Sequence, residues 1–365
     1  MAAEQGPLVD LIAGARPNFM KIAPIWRLLA RADWCRVRLV HTGQHYDPSM
    51  SDAFFRDLGL PAPDRHLDGG SGTHAEQTGR VMVAYERLCL DEPPAWAIVV
   101  GDVNSTLACA LAAKKLGLRV AHLEAGLRSR DMSMPEEINR VLTDRIADLL
   151  WTPSADADDN LRAEGVPAER IDRVGNVMID ALVMMREAIG ASRVRCALGL
   201  APRAYGVVTL HRPANVDEPD TLAAILGALA RVAGRLPLVL PMHPRIKARL
   251  AGLSGQAGCA AGRLRLVEAL GYVDFMGLVS EAAVVVTDSG GVQEETTYLG
   301  IPCITVRPST ERPVTVTLGT NRLARPDEIA PLVEAALAGD WPKGRPVPLW
   351  DGHAAERAVR SLRSR

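Results

Sequence analysis

The stretch Val284–Pro313, VVVTDSGGVQEETTYLGIPCITVRPSTERP, decides the fold. An apolar run, Val284 to Val286, ends in Thr287-Asp288-Ser289-Gly290-Gly291. An amphipathic segment continues to Leu299, Gly300 stops it, and a second apolar run, Ile301 to Val306, begins. The order is strand, glycine turn, short helix, strand. Such a turn sets free backbone N–H groups and the positive end of a helix at the C-terminal edge of a parallel sheet, where an anion can sit. Glu294 and Glu295 lie about one turn into the helix, and a ribose diol is a natural partner for a carboxylate there. Together these features fit the diphosphate and ribose of a nucleotide. An ordinary turn, with Gly290 and Gly291 serving only close packing, fits the local pattern as well.

The chain has 365 residues, enough for about two domains with full cores. Its 48% hydrophobic and 23% charged content is that of a globular protein. A net charge of −1 gives no electrostatic reason to expect nucleic acid or anionic membrane as a partner, so any anion site must be local. Six cysteines (Cys35, Cys89, Cys109, Cys196, Cys259, Cys303) show no paired spacing. They read as reduced core residues of a cytoplasmic protein, not as a disulfide frame or zinc site. The opening MAAEQGPLVDLIAGARP has no basic region and too short an apolar run for a signal peptide. No apolar stretch approaches the ~20 residues of a membrane span.

Short β-rich runs alternate with helical patterns. Strands are expected at 8–13, 37–41, 96–100, 119–123 and 150–152, with helices over 19–32, 74–90, 105–116 and 135–150. The alternation then starts afresh, with strands at 205–210, 236–241, 264–267, 284–287 and 301–306. The pattern predicts two Rossmann-like, doubly wound α/β domains. The boundaries read as 1–174, 175–350, and a last helical segment, 351–365, that packs back on the first domain. A faint echo links the halves: LIAGARPN opens the first and VVTLHRPAN the second.

Two such domains facing each other would set their strand C-termini around a shared cleft. The polar residues at those ends are Arg16, Asp102 and Glu124 in the first half, and His211, His243 and the Ser289-Gly290-Gly291 turn in the second. Asp102 and Glu124 follow consecutive strands of one βαβ crossover, so both should point into one crevice. The sequence sets no basic residue beside either. Each acid is then expected to raise the other's pKa, which suits proton transfer; capping a turn is the plainer role. Glu136 reads differently. Ser133-Met-Pro-Glu136 has the form of a capping box, and Glu136 and Arg140 have the spacing of an i,i+4 ion pair.

The chain resembles the non-hydrolysing UDP-N-acetylglucosamine 2-epimerases over nearly its whole length. The matching pieces are GARPNFMKIAP (14–24), TGQH (42–45), GDVNSTLA (101–108), HLEAGLRS (122–129), PEEINR (135–140), GNVMIDAL (175–182), HRPAN (211–215), MHP (242–244), DSGGVQEE (288–295) and TERP (310–313). The resemblance implies a glycosyltransferase-B-like fold with the active site between two domains, and a homodimer. It matches Asp102, Glu124 and Glu136 to the family's catalytic acids. Arg16, His211, Ser289, Gly290 and Glu295 fall on UDP-binding positions, and Phe275 on the one near uracil. Lys21, Arg140 and Arg312 fall on further functional positions.

The chemistry agrees. The hydrogen on C2 of an amino sugar has no adjacent carbonyl, so direct deprotonation gives an unstabilised carbanion. Oxidation by NAD would need a glycine fingerprint after the first strand, and GGSGTH (69–74) has the wrong context and reads as a mobile loop. Loss of UDP instead builds oxocarbenium character at C1 and acidifies C2, after which a carboxylate can remove the proton. No metal or cofactor is called for, and the DADD run at 156–159 falls in a helix. The chain departs from the family pattern at Asn18, at Val103-Asn104-Ser105-Thr106 and at Pro213-Ala214-Asn215. Of a second, regulatory UDP-sugar site in bacterial relatives, Gln44, Arg212 and His243 match and Asp47 does not. A 2-epimerase of a modified UDP-sugar, such as an acetamido-uronic acid, and a glycosyltransferase of the same fold remain as alternatives.

Overall fold

A computed structural model describes residues 6–43, 55, 58–252 and 263–365, without the side chains at 16 and 250–252. Gln44, Asp47 and Cys259 lie outside these. The chain divides into two compact units: Met1–Met184 with Pro348–Arg365, and Met185–Val347.

The first unit holds a seven-stranded sheet of order β3-β2-β1-β4-β5-β6-β7. Its strands are β1 (Leu8–Ala13), β2 (Arg36–His41), β3 (Arg65–His66), β4 (Trp96–Val100), β5 (Arg119–Leu123), β6 (Leu149–Thr152) and β7 (Ile171–Arg173). The second holds six, β10-β9-β8-β11-β12-β13: β8 (Gly206–Thr209), β9 (Leu238–Pro241), β10 (Leu264–Val267), β11 (Val284–Thr287), β12 (Cys303–Thr305) and β13 (Asn321–Leu323). Every pairing is parallel. Helices cover both faces of such sheets, so β1 and β4 are buried along their whole length. The two orders are the same arrangement of successive strands. The echoed Arg-Pro segments follow β1 and β8, which hold equivalent places in it.

The short strands β3, β7 and β13 escape the sequence reading because charged or polar residues interrupt them, as in Arg65-His66 and Ile171-Asp172-Arg173. The boundary differs as well. Helix Val177–Met184 stays with the first unit, because the buried Asp180 carboxylate accepts the Ala354 and Ala355 amides at 3.1 and 2.7 Å. Helix Ala354–Arg363 is thereby capped within the same unit. The DADD run lies in helix Ala155–Ala163. In the loop 69–73, the Gly69 and Ser71 carbonyls accept from Arg80. Cys35, Cys89, Cys109 and Cys303 are buried as expected, but Cys196 is exposed. Even the first core carries a charge pair: Asp10 on β1 meets Arg38, its register partner on β2, at 2.7 and 2.9 Å.

Candidate active site

In doubly wound sheets the crevice opens beyond the strand C-termini where the strand order reverses, between β1 and β4 in the first unit and between β8 and β11 in the second. The candidate residues collect at these two points.

In the first unit, Arg16 opens helix Arg16–Leu29 after β1, Asp102 follows β4 and Glu124 follows β5. Arg16's side chain is outside the described residues. Neither acid stands without a cation, contrary to expectation. Lys21 bonds Glu124, and Arg140 bonds Asp102 with one nitrogen and Glu137 with another. Lys21 lies 103 residues from Glu124, and Arg140 lies 38 from Asp102, so only folding reveals these pairs. Each acid thus has a cation beside it that the sequence did not show. The turn that leads to Asp102 lies against the Glu124–Lys21 pair: a methyl group on Gly101 would lie 3.4 Å from Glu124 Oε2 and 3.5 Å from Lys21 Nζ. Glu124 sits at φ +73°. A non-glycine residue held there costs about 1–3 kcal/mol, and such strain collects at functional sites.

Glu136 is not a cap. Helix Pro135–Ile146 begins at Pro135 with Met134 as its N-cap, so Ser133 comes one residue too early. The Ser133 hydroxyl donates to Asp131 at 2.6 Å. Glu137, at the third helical position, takes the helix-start role instead, accepting the Ser129 and Arg130 amides at 2.9 and 2.8 Å. It also draws Arg140 away, so the expected Glu136–Arg140 pair does not form. Glu136 stands exposed, its carboxylate with no hydrogen bond or ion pair among the described residues.

In the second unit, His211 follows β8 and Ser289 stands at the N-cap position of helix Gly290–Leu299 after β11. Between them lies Asp288, fully buried. It accepts the His211 ring Nδ1 at 2.8 Å and the His211 and Arg212 amides at 3.0 and 2.9 Å. Burial would raise this carboxyl, but the His211 ring and these amides hold it below its ordinary value. The hydrogen bond fixes Nδ1 as the donor to Asp288 and leaves Nε2 for a ligand. The His243 ring stands 5.8 Å from that of His211, centroid to centroid.

The helix start at Gly290 offers unpaired amides and a cluster of guanidinium groups. Arg312 meets Glu311 at 2.7 Å and Glu294 at 2.9 Å, and Arg307 meets Glu311 at 2.6 Å. A Cβ on Gly290 would lie 2.6 Å from Arg312 Nη1, so only glycine lets that side chain approach the turn. Glu294 is therefore not a free ribose ligand. Glu295 is 3% exposed and accepts the Tyr272 hydroxyl at 2.8 Å. Burial pushes its carboxyl up to about 8 against that hydrogen bond, and Glu294's charge adds to the rise. A carboxyl held neutral can donate to a diol as well as accept from it. Phe275 is half-buried on helix Tyr272–Ser280.

A family profile for UDP-N-acetylglucosamine 2-epimerase matches residues 27–363. The chain belongs to that family. It is 39% identical over 366 residues to a UDP-N-acetylglucosamine 2-epimerase of Methanocaldococcus jannaschii, covering 97% of this chain and 98% of that one. The crystal structure of the Methanocaldococcus jannaschii enzyme with UDP-GlcNAc and UDP superposes with a TM-score of 0.89 at 38% identity, covering 98% and 100% of the two chains. A Pseudomonas aeruginosa UDP-2,3-diacetamido-2,3-dideoxy-D-glucuronate 2-epimerase is 42% identical over 316 residues, 86% of each chain. A sucrose-phosphate synthase of Thermosynechococcus elongatus, with a TM-score of 0.62 at 15% identity over 98% and 94% of the chains, shares the glycosyltransferase-B fold alone.

Within this epimerase family member, sequence reasoning missed Asp288, Glu137, Tyr272 and Glu311. Three of them sat in quoted motifs: Asp288 in DSGGVQEE, Glu137 in PEEINR and Glu311 in TERP. Asp288 and Tyr272 lacked a visible partner because theirs lie far off in the chain; Glu137 and Glu311 have cations close by in sequence, but their spacing alone did not single them out.

Proposed function

We propose that the chain catalyses reversible C2 epimerisation of UDP-N-acetylglucosamine to UDP-N-acetylmannosamine. UDP leaves C1 with the bonding electron pair, one carboxylate takes the C2 proton, and the C1–C2 double bond of a 2-acetamidoglucal forms. UDP then re-adds at C1 while a proton returns to C2 from the opposite face. Two acids, Asp102 and Glu124, paired to cations at one switch point, with Glu136 unengaged nearby in the chain, carry this reading. Proton transfer of this kind needs positioned acids rather than a metal or redox cofactor.

In this reading His211, the Ser289-Gly290-Gly291 turn and Arg312 hold the diphosphate, Glu295 the ribose and Phe275 the uracil, with His243 beside His211. Arg16 joins the UDP-binding residues, and Lys21 and Arg140 supply positive charge around the acids. A second reading keeps the same C2 chemistry on a UDP-acetamido-uronic acid, and the Pseudomonas aeruginosa relative favours it. In deuterated water without added NAD or metal, both UDP-N-acetylhexosamines should gain deuterium at C2. Turnover without label sinks the elimination; turnover confined to the uronic acid substrate selects the second reading.

The reading extends to a homodimer in the cytoplasm, serving polysaccharide or cell-wall precursor synthesis. Among the described residues no helix is long and apolar enough to cross a membrane. Val83, Leu90, Ile138 and Leu142 expose 40–66% of their surface on two helices of the first unit, an apolar area that a second copy would cover. Sedimentation equilibrium should return twice the 39.2 kDa chain mass; a monomer at micromolar concentration sinks this.

A further inference from the structure

His122 has no part in the roles above, yet its imidazole is fully buried on β5, two residues before Glu124. Its Nδ1 lies 2.6 Å from Asp144 and its Nε2 lies 2.8 Å from the Gly101 carbonyl. Gly101 precedes Asp102 and is held at φ +68°, where the chain turns out of β4. Asp144 lies on helix Pro135–Ile146, one turn past Arg140 and two past Glu136. One ring thus touches, directly or through its own strand, every segment that carries a candidate acid.

Asp144 extends the tie. Its other oxygen accepts the Gly126 amide at 3.0 Å and Arg128 at 2.7 Å, just beyond Glu124. Arg128 is anchored in turn on Glu164, its Nε and Nη2 each donating at 2.7 Å. A carbonyl only accepts, and so does the Asp144 carboxylate, so both ring nitrogens of His122 donate. A neutral residue of the same size could fill the space but could not donate in two opposed directions.

We propose that His122, with Asp144, is the positioning residue that keeps the Asp102, Glu124 and Glu136 segments in one register for proton transfer at C2. The inference rests on the acid chemistry proposed above. Displacing one such segment by about 1 Å can cost on the order of 10²-fold in rate. The Glu124 backbone is held at φ +73°, a strained conformation that its surroundings must enforce.

The test compares wild type with His122→Gln and Asp144→Asn in steady-state epimerisation, UDP binding by calorimetry and thermal melting. Expected is a kcat loss of about 10²-fold, with UDP affinity near wild type because, Arg16 aside, the nucleotide residues lie in the other unit. Variants that retain wild-type kcat overturn the inference, as does a loss of kcat that merely follows a parallel loss of UDP affinity. Should neither variant fold, histidine 15N spectra of the wild-type protein decide. Two protonated ring nitrogens on His122 are expected; an unprotonated one refutes the clamp. A wild type that binds UDP but epimerises no UDP-sugar refutes the catalytic reading, while the spectra still judge the clamp.

Discussion

Asp102→Asn and Glu124→Gln should each still bind UDP and lose on the order of 10²–10⁴ of turnover, the usual cost of removing a positioned acid or base. Their stabilities should differ. Glu124 is 5% exposed and Lys21, its partner, 11%. Neutralising Glu124 leaves an ammonium nearly buried without a counter-charge, and breaking a buried pair costs about 3–5 kcal/mol. The Asp102 side chain is 32% exposed, and its partner Arg140 keeps Glu137. Asp102→Asn should therefore melt close to wild type, whereas Glu124→Gln should melt well below it. Adding Lys21→Met to Glu124→Gln should restore much of the melting temperature and none of the turnover. If the double variant regained activity along with stability, Glu124 would be a structural residue, and the chemistry would pass to the other acids.

Glu136→Gln should leave melting temperature and UDP affinity where they were and reduce epimerisation severely, again by about 10²-fold or more. The reason lies in the helix register. With Pro135 as the first helical residue, Glu137 is the one that reaches back to the Ser129 and Arg130 amides. Glu136 gives up no bond when its charge is removed. Glu137→Gln makes the control: it weakens a buried contact to Arg140 and so should lower stability. Near-full turnover by Glu136→Gln would return Glu136 to the solvated helix surface.

Much of the fold was legible because its signals are local. Runs such as Trp96–Val100, Arg119–Leu123, Leu264–Val267 and Val284–Thr287 begin and end where the sequence places them. Strands covered on both faces are mostly apolar, and the turn that follows favours glycine or a small polar residue. Short edge strands such as Arg65–His66 carry no such demand, since their pairing partner alone defines them. Asp102 and Glu124 were legible too, as polar residues at strand ends.

The sequence by itself therefore determined the alternation of strand and helix, the repeated Arg-Pro turn after β1 and β8, and the positions of Asp102, Glu124, His211 and the Ser289 turn. These follow from backbone geometry and from burial patterns spanning a few residues. Tertiary structure alone decided what each group touches: Lys21 on Glu124, Arg140 shared by Asp102 and Glu137, Asp288 under His211, Tyr272 on Glu295. It also freed Glu136 from a cap that its spacing had promised, by a shift of a single residue in where the helix begins. Electrostatics acts through space, so the charge state and orientation of an acid depend on partners that linear order does not reveal.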